Sequence, residues 1–207
     1  MSGDEETDDF NERLSGWHYS LGWGNGVESV APYVPTPERV VDYMLKVAGV
    51  GPDDVLYDLG CGDGRILFKA IEDFSVDRAV GYELKPNLVE GVGKRIKEGR
   101  LHDRVEVHNL NFFEADLSEA SVVTLYLTTS GNSKLRSKFR EELRPGTRIV
   151  SHDFPIQEWE AIEQEDSPYK LGSHKVYLYV IPEDWSRVTL FTKKSSWEKI
   201  RERILGE

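Results

Sequence analysis

The segment from Asp58 to Arg65 reads Asp-Leu-Gly-Cys-Gly-Asp-Gly-Arg, with glycines at 60, 62 and 64. Glycine has no Cβ, so such a run lets the backbone turn tightly and lie against a ligand. A helix beginning directly after it offers unpaired N–H groups to an anionic ligand atom. The spacing is not that of a dinucleotide-binding turn. The third glycine, Gly64, comes one residue early, and Arg65 stands where that glycine would be. Asp58 precedes the glycines and Asp63 lies among them. Carboxylates there repel a pyrophosphate and attract the ammonium of an amino-acid moiety. Nineteen residues after Gly64 comes Glu83, where a carboxylate suits the two hydroxyls of a ribose. Asn111 offers an amide to an adenine edge, and Phe112 an aromatic face to its ring. The set asks for a nucleoside with a cationic amino-acid end.

Each of these residue types also has a purely structural use. The glycines can serve close helix packing, and Glu83 can be a solvated strand-end acid. Asn111 can cap a turn and Phe112 can be core. Cys61, the only cysteine, reads as a small filler in the turn and not as a nucleophile. His152 and Asp153 read as a helix cap or a buried hydrogen bond and not as catalytic groups. No cluster with metal-ligand spacing is visible, so no metal is expected.

Hydrophobic periodicity supplies the elements that must hold these residues. A helix is predicted over 38–48, with Thr36 as N-cap and Pro37 at its first position. Further helices are predicted over 65–73, 86–99 and 134–143. Strands are predicted over 55–59, 78–84, 104–110, 120–127 and 147–152. A closing hairpin pairs 175–181 with 187–192, since the short link between them permits only antiparallel pairing. A terminal amphipathic helix is predicted over 196–205. Alternating strands and helices followed by a hairpin give an α/β fold: a doubly wound, mostly parallel seven-stranded sheet with an antiparallel edge. In such sheets the ligand lies beyond the carboxyl ends of the strands, where the candidate residues fall.

The run Val55-Leu-Tyr-Asp-Leu-Gly-Cys-Gly-Asp-Gly-Arg-Ile66, with Glu83 downstream, resembles the S-adenosylmethionine (SAM) site of class I, seven-β-strand methyltransferases. The resemblance covers about residues 31–193. The segments Pro32-Tyr-Val-Pro-Thr-Pro37, Thr124-Leu-Tyr-Leu127, Leu143-Arg-Pro-Gly-Thr147 and Val150-Ser-His-Asp-Phe154 narrow it. Together they resemble the archaeal broad-specificity protein lysine methyltransferases and their mitochondrial relatives. The resemblance implies SAM as cofactor, held by Tyr33, Thr36, Asp58, Gly60, Cys61, Gly62, Asp63, Gly64, Glu83, Asn111 and Phe112. It implies in-line SN2 transfer to a lysine ε-amine, with Tyr126 and Tyr33 desolvating the amine. Pro35-Thr-Pro37 is equally a helix start, and Tyr126 equally ordinary strand-end packing. The stretch Thr128-Thr-Ser-Gly-Asn132 departs from the more apolar continuation that the family leads one to expect. The alternatives are a class I enzyme acting on a small molecule or RNA, and a SAM-binding interaction module without catalysis.

The composition bounds the partners. The chain has 207 residues and a net charge of −11, with six acids against one arginine in its first thirteen residues. That length suits one catalytic domain over 29–207, preceded by an acidic, mobile segment over 1–28. Bare nucleic acid would be repelled, whereas a basic protein would be attracted. No stretch reaches the ~18 uncharged apolar residues of a membrane span, and the first residues show no secretory pattern. A cytoplasmic protein is expected, monomeric or a small homo-oligomer.

Overall fold

The computed structural model describes residues 33–159 and 168–185. The acidic segment over 1–28, the strand expected over 187–192 and the helix expected over 196–205 lie outside the described residues. The described chain runs α1 (Glu38–Val47), β1 (Val55–Leu59), α2 (Arg65–Phe74), β2 (Arg78–Tyr82), α3 (Pro86–Gly99), β3 (Val105–His108) and β4 (Val122–Leu125). It continues through α4 (Thr129–Lys134), α5 (Arg136–Glu142), β5 (Arg148–His152), β6 (Tyr169–Leu171) and β7 (His174–Val180). Among these helices none is long and apolar enough to cross a membrane.

The strands form one sheet in the order β3-β2-β1-β4-β5-β7-β6. β1 to β5 are parallel, and β7 runs antiparallel to both β5 and β6. The sheet is therefore seven-stranded and mostly parallel, but its one reversed strand lies inside the edge and not at it. The hairpin partner of β7 precedes it: Gly172 and Ser173 make a two-residue turn after β6, with Gly172 at φ 62.

Alternation along the central strands feeds two cores. Leu56 on β1 packs with Val40, Val41, Met44 and Leu45 of α1 and with Ile66, Leu67 and Phe68 of α2. Tyr57 and Leu59 face the other layer, with Phe139 of α5. Period-two side-chain placement and a sheet covered on both faces require these two layers. The connection from β3 to β4 has no helix; its Phe112, Ala115, Leu117 and Ala120 are buried in the second core.

Two local expectations need correction. Pro37, not Thr36, is the N-cap of α1: its carbonyl accepts from the N–H groups of Val40 and Val41, and no side chain caps the helix. The helix expected over 134–143 is two helices meeting at Leu135. Its unpredicted first part arises because Thr128 Oγ1 accepts from the Gly131 N–H at 3.1 Å and so starts α4. The polar stretch 128–132 is thus a capped helix start, with Asn132 fully buried.

Candidate active site

Strand order reverses between β1 and β4, and beyond the carboxyl ends of strands at such a reversal lies the place where open α/β sheets take their ligands. The glycine turn leaves β1 into this place. The Gly60 and Cys61 N–H groups donate to the Tyr82 carbonyl at 2.9 and 3.0 Å, fixing the turn to the end of β2. Gly62 has φ 54, and a Cβ there would stand 2.5 Å from the Tyr33 ring. Gly64, at φ 76, caps α2, and a Cβ there would meet Phe68 and Val92 at 2.9 and 3.0 Å. Both positions exclude any larger residue.

Three carboxylates bracket the turn in different states. Asp58 is buried, and its Oδ1 accepts from the Thr124 hydroxyl on β4 at 2.7 Å. Among the described residues it has no cationic partner, and burial pushes its carboxyl up to about 7. Glu83 is also buried: Oε2 accepts from the Gly62 N–H at 3.0 Å and Oε1 from the Lys85 N–H at 2.9 Å. Asp63 is turned outward into a two-pronged pair with Arg65, at 2.9 Å from Nε and 2.6 Å from Nη2. Those bonds hold its carboxyl below the usual range. Arg65 also donates from Nη1 to the Thr36 carbonyl at 2.8 Å, tying the glycine turn to the segment ahead of α1. Cys61 is buried, and burial raises its thiol far above ordinary, so it is inert filler.

Tyr33 covers the turn. Its ring lies against Gly62 and under the Lys85 ammonium, which is 5.4 Å from the ring centroid. At 39% exposure it forms a rim and not a buried wall. Asn111 uses its Oδ1 to accept from the Phe113 N–H at 3.1 Å, a turn-capping bond. Phe112 is buried in the second core against Phe113, with centroids 4.9 Å apart. Asn109, which the sequence reading passed over, donates to the carbonyls of Glu83 and Leu84 at 2.9 and 3.1 Å and fixes the path after β2. Its place at a strand end, two residues from Asn111, was the available signal.

Tyr126 follows β4, two residues past Thr124. Its ring lies 4.0 Å from the His152 ring and 6.2 Å, nearly parallel, from Phe154. Burial raises its hydroxyl to about 12, so it stays neutral at ordinary pH. Asn132 donates from Nδ2 to Ser151 Oγ and the Phe154 carbonyl at 3.2 and 2.8 Å. Its Oδ1 is buried without a partner among the described residues. Thr36 is buried and faces His152 Nδ1 across 3.4 Å. The fold also gathers what the sequence reading did not see together: His152, Asp153 and His174 converge at the end of β5 and the start of β7.

The donor set fits a nucleoside bearing positive charge. A buried carboxylate without a counter-ion, beside a glycine turn that admits close backbone approach, gains from a cationic ligand and loses from an anionic one. Comparison with known proteins agrees. A family model described as the ANTKMT methyltransferase domain matches residues 58–163, about half of the chain. The chain is 48% identical over 155 residues to a protein-lysine N-methyltransferase of Saccharolobus islandicus (strain REY15A), covering 73% of this chain and 94% of the relative. It is 31% identical over 131 residues to the adenine nucleotide translocase lysine N-methyltransferase of Mus musculus, covering 63% of this chain and 56% of the relative. A crystal structure of an RNA methyltransferase from Salinibacter ruber, in complex with S-adenosyl-L-homocysteine, matches with a TM-score of 0.68 and 48% identity. That match covers 73% of this chain and 95% of the other.

Proposed function

The chain belongs to the ANTKMT methyltransferase family, and from that premise we propose that it methylates lysine ε-amines of proteins with S-adenosyl-L-methionine as donor. The observation that carries the reading is Asp58: buried, without a cation among the described residues, and set just ahead of the glycine turn with its bond to Thr124 of β4. Asp58 and the backbone of Gly60, Cys61 and Gly62 would hold the amino-acid end of SAM, with Tyr33 and Thr36 closing over it. Glu83 keeps acceptor capacity for the ribose, because each carboxylate oxygen has two lone pairs and holds one backbone N–H. Asn111 and Phe112 would border the adenine, and Asp63, paired with Arg65, steadies the turn. When bound, SAM supplies a sulfonium methyl open to in-line displacement by an amine nitrogen.

The acceptor must arrive neutral, while a free lysine amine has a pKa of ~10.4. Desolvation favours the neutral amine. Tyr126, with its ring against those of His152 and Phe154, would give an aromatic wall beyond β4 that removes water without adding charge. Its hydroxyl does not ionise in the working range, so it cannot serve as the base. The residues act by positioning and exclusion of water, which can supply much of the acceleration.

The acid balance supports basic proteins as substrates, drawn to a chain of net charge −11. In this reading residues 29–207 form one domain of archaeal type and 1–28 an acidic extension, and the enzyme works in the cytoplasm as a monomer or small homo-oligomer. A second reading, methylation of RNA, is favoured by the description of the Salinibacter ruber protein. The same net charge opposes it, because RNA affinity is built on cations that neutralise phosphates. Incubation with methyl-labelled SAM and separate mixtures of basic proteins, RNA and small metabolites decides. Label in lysines after digestion is expected. Label confined to RNA or small molecules overturns the substrate assignment, and SAM binding without transfer overturns the activity.

A further inference from the structure

The cluster at the end of β5 adjoins the proposed methyl-transfer site through Tyr126 and Thr36, but no step of that reading uses it. His152 Nε2 lies 2.9 Å from His174 Nδ1 and 3.1 Å from Asp153 Oδ2, and those two atoms lie 3.1 Å from each other. Three side-chain atoms thus form a nearly equilateral triangle. Atoms bound at about 2.1 Å and at right angles around one ion stand about 3.0 Å apart, whereas tetrahedral ligands stand about 3.4 Å apart. The triangle is small enough for one first-row ion to touch all three atoms, and two imidazoles with one carboxylate are ligand types that such ions take.

With a single proton at the centre of this triangle, one edge sets two lone pairs face to face. With both ring nitrogens protonated, both donate to Asp153 Oδ2 while the two nitrogens stand 2.9 Å apart. A cation answers all three atoms at once. The surroundings orient each ligand toward that role. His152 Nδ1 faces the Thr36 hydroxyl at 3.4 Å, an oxygen able to accept the Nδ1 proton in the tautomer whose Nε2 lone pair points inward. Asp153 Oδ1 accepts from the Lys175 N–H at 2.8 Å, and the Asp153 N–H donates to the Lys175 carbonyl at 2.7 Å, leaving Oδ2 for the centre. Asp153 holds a left-handed backbone at φ 57, which its short polar side chain tolerates.

We propose that His152, Asp153 and His174 bind a divalent first-row transition-metal ion that fastens β7 to the end of β5 and, through Thr36, to the segment ahead of α1. The ion would join two stretches of chain directly and a third through the Thr36–His152 contact, and its place under Tyr126 makes it a structural clasp for the aromatic wall. The test is zinc binding by the full chain after chelator stripping and re-addition of Zn2+. One ion per chain is expected, with a raised melting temperature and an X-ray absorption spectrum showing imidazole scattering from two histidines. His174→Gln and Asp153→Asn each weaken zinc binding by more than the ~10–100-fold that loss of an outer partner costs. Wild-type chain that retains no stoichiometric zinc overturns the proposal. So does an all-oxygen shell, which surface carboxylates alone would give, or equal zinc in both folded variants. The absorption spectrum is read on the unaltered chain, so the outcome stands even where a variant fails to fold.

Discussion

Asp58 carries the clearest consequence at the scale of one residue. Its carboxyl, ordinarily at 3.8, lies at about 7 because burial disfavours the charge. Well below pH 3.8 it is neutral in folded and unfolded chains alike, and its contribution to stability is fully present. That contribution is lost as pH rises through 7, where the folded carboxylate must ionise without a counter-ion. A cationic donor reverses the sign, since it favours the ionised form. Calorimetry should therefore show SAM affinity rising with pH up to about 7 and then levelling, while Asp58→Asn binds weakly with that rise removed; a flat wild-type profile contradicts the assignment. Tyr126 gives a second expectation. A general base contributes ~10²–10⁴-fold, so a base role would make Tyr126→Phe nearly inactive. As a desolvating wall, Tyr126→Phe retains its rate within about 3-fold, and Tyr126→Ala loses at least about 10-fold in kcat. The place of Asp58 in β1, just before the glycines, was legible in the sequence. Its burial and its bond to Thr124, sixty-six residues away, were not.

Joints between elements show Glu83 in two roles. Placed one residue past β2, it ties the glycine turn and the start of α3 together by accepting from the Gly62 and Lys85 N–H groups. Sequence reasoning expects Glu83→Ala to abolish SAM binding with the fold intact. The structure alters the second half of that expectation. Alanine leaves the buried Gly62 N–H without an acceptor, which costs about 1–3 kcal/mol. Urea denaturation of the free chain should show that loss for Glu83→Ala and much less for Glu83→Gln, with SAM binding weakened in both. Equal stability of all three chains would show that the turn holds itself. β1 and α3 were legible to the residue, since strong apolar runs and a Pro86 start leave little choice. α4 was missed because its cap, Thr128, opens a run of small polar residues with no apolar period. The turn at Gly172 and Ser173 between two apolar stretches was the unread signal for β6.

Across the whole molecule the acid excess sets the terms of encounter. On the proposed reading, a net charge of −11 would draw basic proteins over distances comparable to the Debye length, ~10 Å at 0.1 M salt. Methyl transfer to basic proteins should therefore weaken as salt is raised from about 0.05 to 0.5 M, mainly through KM, while SAM affinity changes far less. Salt-independent transfer would remove electrostatic recruitment from the account. The architecture itself is a matter of local pattern: strand runs, helix starts and the three glycines recur at short range, so chain order alone specified a mostly parallel sheet. The antiparallel strand's place between β5 and β6 was a matter of pairing. So was the meeting of His152 with Thr36, 116 residues earlier, and with His174, 22 residues later. Such contacts are created by strand register and layer packing, which act between distant segments and leave no period in the sequence that either segment carries by itself.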